Sequence, residues 1–130
     1  MIFVDTNVFM YAVGREHPLR PEAQCFFRDA VQDNQLLATS AEVMQELMHA
    51  YVPVSRFETL NAAFRLMRGC IAEYWSIGAD DVFFAKGLID AYPHLGARDL
   101  LHLSCAQRRK VKKLYTFDRA LRAAFDSSTK

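Results

Sequence analysis

Short β-prone runs alternate with longer segments of helical periodicity along the whole chain. The predicted strands lie at residues 2–5, 36–38, 74–77 and 114–117. Between them, apolar side chains recur every three to four residues, as they do on the buried face of a helix. Strands that alternate with helices form a mostly parallel sheet with right-handed crossovers. We therefore predict an α/β fold.

Several predicted helices begin at a recognisable capping residue. Ser40, Asp80 and Asp118 each precede a segment of helical periodicity, and such side chains accept hydrogen bonds from the free N–H groups of a first helical turn. Ser55 and Glu58 have the spacing of a capping box at the start of a further helix. These residues predict where four of the helices begin.

The composition is typical of one soluble domain. The chain has 130 residues, of which 52% are hydrophobic, so residues 1–130 can bury a single core without covalent staples. Cys25, Cys70 and Cys105 are widely separated, which favours reduced thiols in or near the core over a disulfide framework or a zinc site. The N-terminus has no basic segment followed by a long apolar stretch, and no run of 18 apolar residues occurs, so we expect neither a signal peptide nor a membrane span. We therefore expect a single cytoplasmic domain without a membrane span.

Four acidic residues lie where predicted elements reach one edge of the sheet. Asp5 and Asp118 directly follow apolar strands, and Glu46 and Asp99 lie on predicted helices. Ligands of open α/β sheets bind beyond the carboxyl ends of the strands, and Mg2+ prefers carboxylate oxygens and water as its ligands. These four acids therefore form a candidate divalent-metal site.

Polar neighbours favour this interpretation, although each acid also has a plain structural role open to it. Asn7 and Thr116 lie beside Asp5 and Asp118 in the sequence and are candidates to support them through hydrogen bonds. Taken singly, the four acids could be helix caps, first-turn acids or surface charges. Their joint position at one edge of the sheet favours the metal site.

The C-terminal part of the chain is basic, since residues 98–130 contain nine Lys and Arg against three Asp. The candidate phosphate-contacting residues are Arg98, Arg108, Arg109, Lys110, Lys112 and Lys113. A basic cluster of this kind supplies sequence-independent affinity for nucleic acid, or it simply complements the dipole at a helix C-terminus. Arg98 has two further interpretations, as a surface charge or as a contact to a protein partner.

Two histidines lie one helical turn after two of the acids. His49 follows Glu46, and His102 follows Asp99, a spacing that permits hydrogen bonding or metal ligation. Packing or surface exposure is nevertheless the commoner role of a helix histidine. The ten Phe residues recur at helical spacing, which favours core packing over base stacking. No dinucleotide-binding fingerprint or P-loop motif is present.

Four segments together resemble one protein family. The segments FVDTNVF, SAEVMQEL, ARDLLHLSCA and YTFD are similar to the motifs of PIN-domain ribonucleases, and more narrowly to those of the VapC toxins of bacterial toxin–antitoxin pairs. The resemblance covers essentially the whole chain. It implies a PIN-like three-layer α/β fold, with a short, mostly parallel sheet of four to five strands flanked by about seven helices.

The resemblance also implies an activity and its partners. It makes the four acids the catalytic and metal-binding residues of an endoribonuclease that depends on Mg2+ or Mn2+, with Asn7 and Thr116 in support and RNA as the substrate. It further implies a homodimer that inhibits growth as a toxin and is neutralised by a small VapB-type antitoxin.

Three other functions are compatible with parts of this pattern. A housekeeping PIN nuclease in RNA processing would share the acids, and a non-catalytic PIN-like module would bind RNA or protein without cleaving it. A phosphatase of the haloacid-dehalogenase type also opens with a strand and an aspartate, but it needs a second Asp where this chain has Asn7. The presence of all four acids favours the nuclease.

Overall fold

The computed structural model describes residues 1–129, which form four strands and seven helices. The strands are β1 (Ile2–Val4), β2 (Leu37–Ser40), β3 (Glu73–Trp75) and β4 (Lys113–Tyr115). The helices are α1 (Thr6–Val13), α2 (Arg20–Gln32), α3 (Ala41–Tyr51), α4 (Phe57–Cys70), α5 (Ala79–Gly87), α6 (Ala97–Arg108) and α7 (Arg119–Ser128). The predicted alternation of strands and helices is confirmed.

The four strands are all parallel and lie in the order β3-β2-β1-β4. The chain moves outward from β1 to β2 and β3, and then returns across the sheet to β4. Because right-handed crossovers in opposite directions place their helices on opposite faces, α1 to α4 pack together on one face and α5 to α7 on the other. The predicted three-layer PIN-like α/β fold is confirmed.

The strand order reverses between β1 and β4, and this reversal is where open α/β sheets bind their ligands. Asp5 directly follows β1, and Thr116 directly follows β4. The backbone N–H of Asp5 donates to the carbonyl of Tyr115 at 3.0 Å, which keeps the two strand ends together. The topology therefore places Asp5 and Thr116 side by side at this crevice.

The core is built from the strands and from the apolar face of each helix. Phe3 and Val4 of β1 are 0% exposed, and the ring of Phe3 stacks on Trp75 of β3 with 5.2 Å between centroids. Burial of such side chains is the main driving force for folding. Within residues 1–129, no helix combines the length and the apolar character needed to cross a membrane.

Two of the predicted helix caps are wrong. Ser55 has a left-handed backbone (φ 57°), so it lies in the turn after α3, and α4 begins two residues later without a side-chain cap. Asp80 lies inside α5, whose N-cap is Gly78. The carboxylate of Asp81 accepts the N–H of Gly78 at 3.0 Å. In contrast, Ser40 and Asp118 cap α3 and α7 as predicted.

Asp81 does more than accept the N–H of Gly78 at the start of α5. It is 1% exposed and forms ion pairs with the guanidinium groups of Arg108 and Arg109 at the end of α6. The hydrogen bond from Arg109, with those from Gly78 and Arg108, holds the pKa of Asp81 well below its usual value of 3.8. This ion-pair triad fastens α5 to α6.

The three cysteines differ in their surroundings. Cys105 is buried and Cys70 is partly buried, as expected for residues in or near the core, but Cys25 is exposed. Cys25 lies on the outer face of α2, because the apolar residues Ala23 and Phe27 occupy the face that packs on the core. The prediction that all three thiols lie in or near the core is therefore wrong for Cys25.

Candidate active site

A cleft of about 480 Å³ opens at the carboxyl ends of β1 and β4. Asp5 lies between β1 and α1, Glu46 on α3, Asp99 in the first turn of α6, and Asp118 between β4 and α7. The side chains of all four acids line this cleft. The fold thus brings together the four carboxylates that the sequence placed at one edge of the sheet.

Both carboxylate oxygens of Asp5 are fixed by hydrogen bonds. Oδ1 accepts the backbone N–H of Thr6 at 2.7 Å, and Oδ2 accepts the hydroxyl of Thr116 at 2.7 Å. Asp5 is 5% exposed, and burial raises its pKa although His102 and the hydrogen bonds act in the opposite direction. Each carboxylate oxygen has two lone pairs, so this arrangement orients Asp5 and leaves capacity for a further partner.

Glu46 is held from two sides. The hydroxyl of Thr6 donates to its Oε2 at 2.7 Å, and Nε2 of His102 lies 2.7 Å from its Oε1. Burial opposes ionisation of Glu46, but the hydrogen bond and charge of His102 and the hydrogen bond from Thr6 prevail and lower its pKa. Glu46 therefore enters the site as an oriented, ionised carboxylate.

His102 is part of the site, a role that the sequence left undecided. Its ring is 1% exposed, and Nε2 also lies 3.5 Å from Oδ1 of Asp5. An ionised carboxylate only accepts hydrogen bonds, so Nε2 is protonated and donates a hydrogen bond to Glu46. Burial disfavours the charged ring, but hydrogen bonding to Glu46 and the charges of Asp5 and Glu46 raise the pKa of His102. His49, by contrast, is exposed on α3.

Asp99 and Asp118 complete the acidic cleft. Burial raises the pKa of Asp99 to about 6, and the neighbouring charges of Asp118 and Asp5 add to this effect. Within residues 1–129, the carboxylate of Asp99 makes no hydrogen bond. Oδ1 of Asp118 accepts the N–H of Leu121 at 3.1 Å, so Asp118 caps α7 and lines the cleft at the same time.

Asn7 and Thr116 form the supporting network that the sequence suggested. The Thr116 hydroxyl donates to Asp5 and accepts from Nδ2 of Asn7 at 3.3 Å and from the backbone N–H of Asp118 at 3.0 Å. One donor and two acceptor positions are all that a hydroxyl has. Oδ1 of Asn7 in turn accepts the N–H of Phe117 at 3.2 Å. The network ties the end of β4 to the start of α1.

The candidate phosphate-contacting residues separate into two groups. Arg98 lines the acidic cleft and is exposed. The 108–113 cluster lies elsewhere: Arg108 and Arg109 bind Asp81 at the end of α6 opposite to Asp99, and Lys113 pairs with Ile2 at the N-terminal end of β1. The structure therefore does not bring residues 108–113 to the acids.

The arrangement fits a hard divalent cation. The donor atoms that face the cleft are carboxylate oxygens, the ligands that Mg2+ and Mn2+ prefer. Ligand atoms of Asp5, Glu46 and His102 lie within 4.8 Å of one another. Nε2 of His102, however, donates to Glu46, so the imidazole orients a carboxylate and offers no lone pair from that nitrogen. Thr6 and His102 are the two members of the site that the sequence did not predict.

This fold and this cleft define a PIN-domain protein. The family model of the PIN domain matches residues 2–125, and the chain belongs to this family. Within it, the chain is 55% identical to Ribonuclease VapC23 of Mycobacterium tuberculosis over 127 residues, which cover 98% of this chain and 100% of that protein.

Solved structures of related proteins share the fold. VapC20 of Mycobacterium tuberculosis, described as a toxin that cleaves the sarcin–ricin loop, superposes with a TM-score of 0.77 at 17% identity over 95% of each chain. VapBC2 of Rickettsia felis, solved with a DNA fragment from its promoter, superposes with a TM-score of 0.69 at 18% identity, over 92% of this chain and 90% of that one. At these identities the likeness concerns the fold.

Proposed function

We propose that the chain is a metal-dependent endoribonuclease and the growth-inhibiting toxin of a toxin–antitoxin pair. The observation that carries the proposal is the convergence of Asp5, Glu46, Asp99 and Asp118 on one cleft. The kinship to ribonucleases of the VapC family supports RNA as the substrate. The four acids are the proposed catalytic residues and metal ligands, with Mg2+ or Mn2+ as the cation.

In the proposed site, some residues orient the carboxylates and the carboxylates bind the cation. Thr6, Thr116 and His102 fix the carboxylates of Asp5 and Glu46. The carboxylate of Asp99, which no hydrogen bond within residues 1–129 engages, faces the cleft beside them. When bound, a divalent cation supplies Lewis-acid chemistry for hydrolysis of a phosphodiester bond. The like charges of the acids favour its binding, because a cation relieves their mutual repulsion.

Arg98 is the proposed phosphate contact of this cleft. It is exposed on the first turn of α6, one residue before Asp99. A guanidinium group binds phosphate oxygens through two parallel hydrogen bonds. Arg98 can thereby offset the repulsion between the acids and the RNA backbone. An additional role of residues 108–113 in RNA binding stays a prediction for a surface remote from the acids.

We propose two protein partners, a second copy of the chain and a small VapB-type antitoxin. The antitoxin is supported by the kinship to VapC proteins and by the fold that the chain shares with VapBC2. The homodimer is supported by an exposed apolar surface on and after α5. This surface, called the α5 patch below, consists of Val82, Phe83, Phe84 and Ile89, whose exposed fractions range from 42% to 74%. Exposed apolar patches commonly mark protein interfaces.

The activity is tested with purified protein and a panel of single-stranded and hairpin RNAs. We expect cleavage with Mg2+ or Mn2+, none with EDTA, and nearly complete loss in Asp99→Asn. The matched control is Asp126→Asn, which alters an exposed acid on α7. Full cleavage by Asp99→Asn, or cleavage that persists in EDTA, contradicts the proposal.

The toxin role needs a cellular test. Induced expression in the native host is expected to stop growth, and co-expression of the adjacent small protein is expected to restore it. Asp99→Asn serves as the matched inactive control. Normal growth with abundant active nuclease favours the housekeeping role in RNA processing instead.

A further inference from the structure

A second cavity, of about 620 Å³, adjoins the acidic cleft. Asn7 and Met10 line both spaces, so the two share a wall. This space, called the side cavity below, lies between the end of α1, the loop that follows it and the turn that joins α3 to α4. It therefore extends directly from the place where we propose that RNA is cleaved.

One wall of the side cavity is aromatic. The rings of Tyr11 and His17 lie 4.6 Å apart between centroids. Nδ1 of His17 accepts the backbone N–H of Leu19 at 3.1 Å, and Phe117 meets Tyr11 edge-on at 5.6 Å. Both rings are therefore held in place, while Tyr11 is only partly buried and His17 is exposed. Ordered, accessible rings are the platforms on which proteins stack unpaired bases.

The side cavity is also cationic. The guanidinium of Arg56 lies 5.4 Å from the ring centroid of Tyr51 and donates to the hydroxyl of Thr59 at 3.3 Å. Arg15 lines the same space and is exposed. Within residues 1–129, neither arginine forms an ion pair with a carboxylate. Glu16 also lines the cavity, so the arginines outnumber the acids and the positive charge is available to an anion.

We propose that the side cavity is a nucleotide subsite, which holds one unstacked base of the RNA next to the cleaved phosphate. This inference rests on the proposed ribonuclease function. The base stacks on the outer face of the Tyr11–His17 pair, and Arg15 and Arg56 bind the adjoining phosphate groups. The acidic cleft repels an RNA strand, and the 108–113 cluster lies too far along α6 to compensate. The arginines of the side cavity supply the missing attraction on the side where the strand must continue.

The test compares variants of the cavity with matched substitutions elsewhere. Tyr11→Leu removes the ring but keeps an apolar side chain, whereas Tyr11→Phe keeps the ring. Tyr74→Leu is the control for loss of an exposed tyrosine, and Arg65→Gln, on α4, is the control for Arg56→Gln at the N-cap of that helix. Thermal melting establishes that each variant is folded. The probe is the member of the RNA panel that the wild type cleaves at a single position.

We expect Tyr11→Leu and Arg56→Gln to raise the dissociation constant, measured by fluorescence anisotropy in EDTA, by about tenfold. The KM for cleavage of the probe in the presence of Mn2+ should rise together with the dissociation constant. The kcat should change little, because the substitutions do not alter the reacting groups. Tyr11→Phe and both control variants should bind as the wild type does. The probe is also synthesised with one base removed at each position in turn. Loss of one base beside the cleavage site should weaken binding to the wild type but not to Tyr11→Leu.

Three outcomes overturn the inference. If the wild type cleaves no RNA of the panel, the proposed function fails and the subsite fails with it. If the wild type cleaves RNA and the Tyr11 and Arg56 variants bind it normally, only the subsite is wrong. If these variants bind RNA normally but lose affinity for the antitoxin, the side cavity belongs to a protein interface.

Discussion

At the scale of single residues, one buried imidazole decides where the carboxylate of Glu46 points. Nε2 of His102 donates to Oε1, while the hydroxyl of Thr6 holds Oε2. Groups that orient metal ligands through hydrogen bonds affect metal affinity about 10- to 100-fold. In the proposed function His102 is thus a positioning residue, because it contacts Glu46 and would act on the reaction only through that carboxylate.

We predict that His102→Leu weakens Mn2+ binding by about tenfold or more, as measured by isothermal titration calorimetry. Leucine fills the space of the ring but has no N–H to hold Glu46. His102→Gln should retain most of the affinity, since its amide can donate to the same oxygen. Equal affinities of the Leu and Gln variants would show that His102 only packs the core.

A second prediction concerns the charge of Asp99 in the metal-free protein. Its pKa is raised from 3.8 to about 6, first by burial and then by Asp118 and Asp5. A carboxyl with a raised folded-state pKa favours the folded state at low pH, and it loses this contribution as the pH rises through that pKa. At neutral pH the ionised Asp99 therefore costs stability.

Asp99→Asn is accordingly expected to melt at a higher temperature than the wild type in EDTA at neutral pH. The difference should grow as the pH rises from 3.8 to about 6 and then level off, because both states are ionised above that value. Mn2+ should raise the melting temperature of the wild type more than that of the variant. Asp126→Asn is the control. A difference that is independent of pH contradicts the assigned pKa.

The sequence identified the four acids of the site and the supporting Asn7 and Thr116, but not the residues that hold Glu46. Asp5 and Asp118 are recognisable because each follows an apolar run. A buried strand is expected to be apolar throughout, so a carboxylate at its end indicates an exposed, functional position. Thr6 and His102 are not recognisable in this way, since their partner Glu46 lies 40 and 56 residues away along the chain. Such contacts follow from the packing of α1, α3 and α6 and from no local pattern.

At the scale of the elements, the triad of Asp81, Arg108 and Arg109 joins α5 to α6. The carboxylate of Asp81 is buried, whereas the side chains of Arg108 and Arg109 are 34% and 26% exposed. If the ion pairs are lost, the two arginines can therefore become hydrated, whereas the buried carboxylate of Asp81 cannot. The triad gives a structural role to Arg108 and Arg109, two of the candidate phosphate-contacting residues.

We predict that Asp81→Asn lowers the free energy of unfolding by about 2 kcal/mol, as measured by urea denaturation, because charge-assisted hydrogen bonds are lost while the arginines become hydrated. Because the arginines hold the pKa of Asp81 below its usual value of 3.8, its contribution is present above that pH and is lost as the pH falls further. The deficit of the variant should therefore be constant near neutrality and shrink in acid. Asp80→Asn, an exposed neighbour in the same helical turn, should cost far less.

The number and order of the elements were predictable, and some of their ends were not. Periodicity shows where a helix runs, but its first residue depends on backbone geometry. Ser55 is a good capping residue by type, yet its left-handed φ of 57° takes it out of α4. Strand β2 extends to Ser40 because Ser40 pairs with Trp75 of β3, a partner that only the sheet reveals.

At the scale of the whole molecule, the proposed homodimer rests on the exposed apolar side chains of the α5 patch. Phe83 is 74% exposed, more than the other three residues of the patch. The expectation that the phenylalanines serve core packing does not hold for Phe57, Phe83 or Phe84, because helical spacing alone does not say which face of a helix meets the core. Within the described residues, nothing covers the ring of Phe83.

We predict that Phe83→Glu shifts the protein from dimer to monomer in analytical ultracentrifugation. A carboxylate at the centre of an apolar interface loses hydration without gaining a partner, which is unfavourable. Lys86→Glu, an exposed position in the same helix, is the control for added charge. A wild type that sediments as a monomer at high concentration, or a dimer that survives Phe83→Glu, contradicts this assignment of the interface.

Asp5 and Asp118 each line the cleft and cap a helix. This double role affects the choice of an inactive variant for structural work. Both carboxylates accept backbone N–H groups where a helix starts, so replacing either with Ala removes a helix cap together with a negative charge. Asp99 engages no such group within residues 1–129. For co-crystallisation with RNA or an antitoxin, Asp99→Asn is therefore the better choice, since we expect it to abolish the proposed activity and it removes no helix cap.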